Sequence, residues 1–159
     1  MILLIVMFSG ANNASWIMLY NVENLAGNKF INGMIFSATE LITGIFAGLL
    51  ISYTSVSTAI LVCTVLGIGF NVLVQFVLPA GSILSNMALI LAILGVSGAY
   101  NTVFVVVGQV LPIEQVGGAM VIICSLGTCA SLMAPLVVIY PTPIPFLMMA
   151  AFMIIALTA

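Results

Sequence analysis

The sequence predicts an all-α fold, a polytopic bundle of membrane helices that forms a single transmembrane domain over residues 1–159. The first reason is composition: hydrophobic residues make up 65% of the chain and charged residues 3%, and the mean hydropathy is +1.48. A water-soluble domain of this size must present charged and polar groups to solvent, and this chain has too few. The second reason is a series of six apolar runs, most of them near the roughly 20 residues that a helix needs to cross a bilayer core.

The first three spans are separated by short polar stretches. The first connection contains Asn21, Glu23 and Lys29, and residues 53–55 (Tyr, Thr, Ser) form a very short turn. Residues 79–82 contain a proline and a glycine, which together end a helix cleanly. We place these three spans at about 2–20, 30–52 and 56–78.

The last three spans are bounded by turns that contain proline. A polar turn at 111–115 contains Pro112 and Glu114, and residues 141–145 contain three prolines. We place the spans at about 84–110, 117–140 and 146–159. The last is shorter than the roughly 20 residues that a full crossing needs, so we expect it to be truncated.

The few charged residues exclude several classes of function. They are Glu23, Glu40, Glu114 and Lys29, and the chain has no Arg, Asp or His. With Lys29 as its one basic residue the chain cannot neutralise a row of phosphates, which excludes nucleic-acid binding. Without His or Asp the usual metal sites and acid–base pairs cannot be built, so the sequence argues against an enzyme and predicts no metal and no cofactor.

Glu40 is the leading candidate for a functional residue. It lies near the midpoint of the apolar run at 31–50. A carboxylate at this depth is costly unless it faces a protein interior or a wet cavity, and an intramembrane ionisable residue therefore indicates a functional site. We expect a solute or ion pathway between packed helices, with Glu40 as its main polar contact.

Other polar residues within the spans give weaker signals. Tyr100 and Asn101 lie side by side in the middle of the fourth span, and Thr128 lies in the fifth. Such residues either bond across helices or face a cavity, and we take these three as secondary cavity residues. Pro135 should kink the fifth span, because proline removes a helical hydrogen bond.

Gly44 and Gly48 form a pair of small residues four positions apart, a spacing that lets two helices approach closely. We expect this pair to serve helix packing or gating. General packing between helices is the simpler explanation for most of the glycines that lie within spans.

Two stretches of the chain resemble organic cation and anion transporters of the major facilitator superfamily. Gly27-Asn28-Lys29-Phe30-Ile31-Asn32, followed by Phe36-Ser37-Ala38-Thr39-Glu40-Leu41, is similar to the start of the family's eighth helix, with its Gly-Asn and its later Glu. Gly108-Gln109-Val110-Leu111-Pro112 resembles the turn after the tenth helix, and Pro135 matches the family's proline in the eleventh. The resemblance covers nearly the whole chain and implies the C-terminal six-helix half of such a carrier.

The chain also departs from the family at charged positions. Gln109 stands where the family has Glu, and Val116 where it has Arg. The charged turn that follows the eighth helix falls on the neutral residues 52–56, so the family's gating network is lost. Thr128 stands where cation transporters have Asp and anion transporters have Arg, so only Glu40 is left to favour a cation or a proton-coupled solute.

The resemblance implies alternating access in the plasma membrane, with a small organic ion or zwitterion bound near the midplane between two six-helix halves. The partners are then the lipid bilayer, the organic solute, and either the missing N-terminal half or a second copy of the chain. The alternative is a non-transporting membrane subunit or a decayed fragment with a structural role only. A small channel is a third reading, which needs a ring of charges from an oligomer, and only Glu40 can supply one.

Overall fold

The computed structural model describes residues 2–22, 28–77, 83–140 and 144–158. Within these ranges all regular secondary structure is helical. The helices are α1 Ile2–Val22, α2 Lys29–Tyr53, α3 Val56–Phe76, α4 Ile83–Val110, α5 Ile113–Ser131, α6 Ala134–Val138 and α7 Ile144–Thr158.

Two helices begin at side-chain caps that the sequence supplies. The Asn28 side-chain oxygen accepts a hydrogen bond from the Phe30 backbone N–H (3.0 Å) at the start of α2. Ser55 Oγ accepts one from the Thr58 backbone N–H (3.2 Å) at the start of α3. Asn and Ser are preferred at this position because they satisfy backbone donors that have no partner within the helix.

The start of α5 differs from the prediction. The helix begins at Ile113, so Glu114 and Gln115 lie in its first turn, and the prediction of a polar turn over 111–115 is wrong for residues 113–115. The Pro112 carbonyl accepts hydrogen bonds from the backbone N–H groups of Gln115 (2.9 Å) and Val116 (3.2 Å). Proline suits the start of a helix, and a carboxylate in the first turn is stabilised by the helix dipole.

The fifth predicted span is broken into α5 and α6 just before Pro135, where the sequence predicted a kink. α5 ends at Ser131 and α6 begins at Ala134, with the proline in its first turn. Proline has no N–H for the Ser131 carbonyl. The Leu132 N–H instead donates to the Cys129 carbonyl (3.3 Å), which tightens the chain at the break.

The helices fit an integral membrane protein. Among the described residues, four helical stretches are long and apolar enough to cross a membrane: Phe30–Tyr53, Val56–Val74, Leu84–Val110 and Ile113–Val138. The last combines α5 and α6. Many large apolar side chains on these stretches are exposed, which suits surroundings of lipid rather than water.

The helices form two groups of three successive segments, α1–α3 and α4–α7, where α5 and α6 together count as one segment. The two groups have similar contact patterns. In the first group α1 contacts α2 and α2 contacts α3; in the second α4 contacts α5 and α6 contacts α7. The main contacts between the groups pair α3 with α4 and α7 with α1, and also α2 with α4 and α5 with α1. The pattern is therefore unchanged when α1 is exchanged with α4, α2 with α5–α6, and α3 with α7. α1 and α4 contact each other and form the centre of the bundle.

α3 and α4 approach each other closely at Gly67 and Gly95. A Cβ atom at Gly95 would lie 2.6 Å from Gly67 Cα and 2.7 Å from the Cys63 carbonyl oxygen, which leaves no room for any side chain. Close backbone approach at small residues is how membrane helices gain packing energy without a hydrophobic driving force.

α1 joins α5 through a polar contact at Gly127. The buried Asn12 side chain donates from Nδ2 to the Gly127 carbonyl (3.2 Å). The Phe8 ring lies against Gly127 and occupies the space that a side chain there would need. The contact satisfies a buried amide that would otherwise be costly at this depth.

Candidate functional site

Glu40 lies on an exposed face of α2, beside the face that packs on the bundle. The packed face carries Phe36, Thr39, Thr43 and Ala47, all of which are buried. The two threonine hydroxyls donate within the helix, from Thr39 to the Ile35 carbonyl and from Thr43 to the Thr39 carbonyl, both at 2.7 Å. The buried threonine hydroxyls of α2 therefore have hydrogen-bond partners within the helix. Glu40 lies outside this packed face and is exposed.

The Glu40 side chain lines a cavity between α2 and α4. This cavity has a volume of about 480 Å³ and is lined by residues of these two helices: Ser37, Glu40, Leu41, Ser97, Tyr100 and Asn101. The structure therefore brings together three of the four predicted substrate contacts, Glu40, Tyr100 and Asn101. Its size lies within the range of cavities that hold small ligands, roughly 300–1,000 Å³.

A second hollow continues the site toward α1. It has a volume of about 230 Å³ and is lined by Asn12, Ser15, Trp16, Leu19, Phe36, Glu40 and Tyr100. Glu40 and Tyr100 line both hollows and so lie where they meet. We call the two hollows together the Glu40 cavity.

Three aromatic rings fix the wall of the Glu40 cavity. The Tyr100 ring centroid lies 5.3 Å from that of Phe8 and 5.1 Å from that of Phe104, with an angle of 89° between the Tyr100 and Phe104 planes. Phe8 and Phe104 also meet edge to face at 5.2 Å. Edge-to-face packing is a favoured arrangement of aromatic rings, so the contacts with Phe104 and Phe8 support the position of Tyr100 in the wall.

The one basic residue of the sequence lies far from Glu40 along α2. Lys29 is the sole Lys or Arg residue, and it lies eleven positions earlier at the start of α2. At 1.5 Å per residue this separates the two Cα atoms by about 16 Å along the helix, too far for an ion pair. A positive charge near Glu40 must therefore come from a ligand, from a proton or from another chain.

Thr128 lies in a different place. It lines a separate hollow of about 370 Å³ on α5 together with Cys124, Ser125, Cys129 and Leu132. The structure thus does not bring Thr128 into the Glu40 cavity, because α1 and α4 occupy the centre of the bundle between α2 and α5. Its role in substrate binding stays a prediction.

The glycine pair on α2 makes no helix contact in the described chain. Gly44 and Gly48 are exposed, and a Cβ at either position would have no atom within 4 Å. Both lie on the same side of α2 as Ser37 and Glu40, at helical spacing. A role in packing or gating therefore requires a surface beyond the described residues.

The other predicted gating residues lie at helix ends. Gln109 is exposed next to the last residue of α4, Pro112 is exposed in the turn before α5, and Pro135 is exposed at the start of α6. The structure places them at the turns and the break where the sequence predicted them. Their part in gating stays a prediction.

The sequence did not single out Ser37, Ser97 and Trp16 as cavity residues. Ser37 precedes Glu40 by three positions, and Ser97 precedes Tyr100 by three, so each serine shares a helix face with a predicted residue. This spacing of three residues is the sequence feature from which the two serines could have been predicted as cavity residues. Trp16 is about one turn from Asn12 in α1 and gave no separate polar signal.

Comparison of the chain with protein-family models and with curated proteins finds no match.

Proposed function

We propose that this chain forms one six-helix half of an alternating-access carrier of the major facilitator type, and that it helps to move small organic ions or zwitterions across a membrane. The observation that carries the proposal is the Glu40 cavity. A carboxylate in the middle of an apolar helix that lines a hollow with other polar side chains, and whose nearest basic residue in sequence lies eleven positions away, is the arrangement expected at a solute or ion pathway.

The symmetric packing of the two three-helix groups supports this architecture. Three successive spans per group make the second group run in the opposite direction across the membrane from the first. Inverted three-helix repeats of this kind occur within each half of major facilitator carriers, and the substrate lies near the midplane between the two halves.

The proposal requires six spans, two more than the four stretches described above. α1 has 21 residues, about 31 Å at 1.5 Å per residue, which matches the hydrocarbon thickness. α7 has 15 described residues, about 22 Å, and would be the short sixth span. Both carry no charged residue, which suits helices in contact with lipid and with each other.

The chemistry of the cavity favours a positively charged group on the solute. Glu40 offers a carboxylate, Tyr100 and Trp16 offer aromatic rings near it, and Asn101 offers an amide. Aromatic rings attract cations through their negative faces, and a carboxylate adds a full charge. An amine or a quaternary ammonium group fits these partners, while an anion would meet Glu40 with the same sign.

A carrier of this type needs a second six-helix half. Another six-helix segment or a second copy of this chain could provide it, and it would cover the exposed face of α2 that carries Glu40, Gly44 and Gly48. Gln109 and the turn after α2 are neutral where the organic ion transporters have charged residues. The chain therefore lacks the charged gate of that family. The break at Pro135 is then a candidate hinge, because proline frees backbone groups within a span.

The uncovered glycine pair favours a second candidate, a membrane subunit with a structural role. Gly44 and Gly48 give α2 a smooth exposed surface that suits close packing against a helix of another protein. In that case Glu40 would be covered by the partner rather than by water. Water access to the cavity distinguishes the two functions.

Cysteine accessibility tests the proposal. In a chain whose Cys124 and Cys129 are replaced by alanine, Ser37→Cys should react with a membrane-impermeant thiol reagent, and an organic cation should slow the reaction. The matched control is Ile42→Cys, an exposed position on the opposite side of α2, which should not react because it faces lipid. Equal reactivity at both positions, or no protection by cations, would argue against a solute pathway.

A further inference from the structure

The second hollow of the Glu40 cavity contains a hydrogen-bond acceptor that the proposed function leaves unused. Asn12 on α1 lines this hollow of about 230 Å³ together with Glu40 and Tyr100. The Asn12 side chain is only 5% exposed, so most of the amide lies within the bundle. A buried amide that reaches a ligand cavity is a candidate for a polar group that sets specificity.

The hydrogen bond between α1 and α5 determines which atom of Asn12 is left for a ligand. Nδ2 donates to the Gly127 carbonyl at 3.2 Å. Turning the amide around would place Oδ1 against that carbonyl oxygen, and two acceptors cannot form a hydrogen bond. Oδ1 is therefore left as a free acceptor, to which no group of the described residues donates.

This acceptor is accessible from the hollow. Among the described residues, the fully enclosed side-chain oxygens without a partner are Oδ1 of Asn13 and Oδ1 of Asn71. Asn12 Oδ1 is not enclosed in this way, and its residue forms part of the hollow wall. A donor on a molecule within the hollow can therefore reach it.

An acceptor beside a carboxylate selects the kind of cation. Glu40 attracts any positive charge, and the rings of Trp16 and Tyr100 attract ammonium groups with or without an N–H. Asn12 Oδ1 differs, because only a cation that carries an N–H can donate to it. A quaternary ammonium ion would displace water from this oxygen without replacing the hydrogen bond, which costs affinity.

We propose that the Glu40 cavity takes primary and secondary amines in their protonated form, and that Asn12 makes it prefer them to quaternary ammonium ions. One N–H donates to the Glu40 carboxylate and another to Asn12 Oδ1. The carbon skeleton of the amine lies against Trp16, Leu19 and Phe36, the apolar lining of the same hollow. The inference rests on the proposed function, because it takes Glu40 as the contact for the positive charge.

Competition binding with a matched pair of cations tests the preference. A fluorescent organic cation is displaced from the purified full chain in lipid nanodiscs by phenethylammonium or by its N-trimethyl form, which keeps the charge and has no N–H. The ratio of the two inhibition constants is compared between variants, so that the different hydration of the two free ions cancels. Asn12→Leu has nearly the shape of the wild type and no acceptor, and it should lower the preference for the primary amine at least about tenfold, the value of one hydrogen bond to a charged group.

Asn12→Asp separates the acceptor from the contact between α1 and α5. It keeps an oxygen in the place of Oδ1 and, like Asn12→Leu, removes the Nδ2 donor to the Gly127 carbonyl. Its added charge attracts both cations alike, so the preference should stay within about threefold of the wild-type value. A preference lost in both variants would show that the contact at Gly127 sets it, and would overturn the inference.

A series of ligands on the wild type covers the case in which Asn12→Leu does not fold. Methylation of the nitrogen weakens its hydration and by itself favours an apolar site, so a fall in affinity as methyl groups replace the N–H groups reports lost hydrogen bonds. We expect affinity to fall at least about tenfold from the primary amine to the trimethyl form, and a flat or rising series would overturn the inference.

The outcomes also separate this inference from the proposed function. If the wild type binds both cations and Asn12→Leu leaves their ratio unchanged, the inference is wrong and the cation pathway stands. If the wild type binds neither cation, both fail together.

Discussion

The substitution Glu40→Gln tests the charge in the Glu40 cavity directly. The amide keeps the size and shape of the side chain and removes its charge. Because no Lys or Arg of the chain can reach Glu40, the substitution breaks no ion pair within the protein. Any loss of cation binding then reports the interaction between the carboxylate and the ligand.

The size of the effect can be estimated from the geometry. A cation 4 Å from a carboxylate gains about 4 kcal/mol at an effective dielectric constant of about 20, the value for partly exposed pairs. Loss of hydration by both charges reduces this gain, and hydrogen bonds to charged groups contribute about 1.5–3 kcal/mol net. We therefore expect Glu40→Gln to weaken the binding of an organic cation by about tenfold to about 150-fold.

The assay measures fluorescence anisotropy with the purified chain in lipid nanodiscs. The ligands are a fluorescent monovalent organic cation and a neutral analogue of the same shape, for which Glu40→Gln should change the affinity by less than about twofold. Glu114→Gln is the matched control, because Glu114 is exposed at the start of α5 and away from the cavity. Equal weakening of both ligands, or cation binding unchanged by Glu40→Gln, would refute the reasoning.

Three further predictions follow from the packing and the helix order. Gly95→Ala should lower the free energy of unfolding by about 1–3 kcal/mol or prevent folding, because its Cβ would lie 2.6 Å from Gly67 Cα. Gly48→Ala has free space for the Cβ and should keep the free energy of unfolding or raise it by up to about 1 kcal/mol, because alanine loses less backbone freedom in a helix than glycine; thermal unfolding in detergent compares the two variants. Lys29→Cys and Glu114→Cys should react with impermeant reagents from opposite sides of the membrane, because three spans separate them, and labelling from one side would contradict the six-span topology. The purified chain alone should not take up organic cations into liposomes, since alternating access needs two halves; uptake above that of empty vesicles would instead favour two copies acting as a carrier.

The positions of the helices were largely predictable because turn-forming residues bound each apolar run. Asn28 and Ser55 cap their helices, and Pro135 breaks the fifth span as predicted. The start of α5 was misplaced for a physical reason. Proline ends a helix that precedes it but suits the first turn of one that follows, and the sequence around Pro112 allows both readings.

Which faces of the helices are packed was much harder to predict. In a membrane both the protein interior and the lipid are apolar, so hydrophobic periodicity does not separate them. The Gly44 and Gly48 spacing suggested a close helix contact, yet the structure makes that contact at Gly67 and Gly95. A small-residue spacing shows that a helix surface is smooth, and it does not identify the helix that packs there.

The sequence identified individual polar residues of the Glu40 cavity on α2 and on α4. It could not show that these helices pack together to form one cavity. Glu40 on α2 and Tyr100 with Asn101 on α4 were identified as polar groups at membrane depth, a property of each residue alone. That α2 packs on α4 is a property of the whole bundle, and this packing brings them together and leaves Thr128 in another hollow. Trp16 joins the site only because α1 lies against both helices.

The two three-helix groups share one packing pattern but carry different chemistry. α2 and α5–α6 take equivalent places in this pattern, and a hollow lies beside each; the hollow beside α2 is lined by Glu40, and the hollow beside α5 is lined by Thr128 and Ser125. If packing alone required a charge at the α2 position, the equivalent α5 position would be expected to need one too. The charge is thus not part of the packing pattern that the two groups share, and the binding measurements on Glu40→Gln test whether it serves the ligand that we propose.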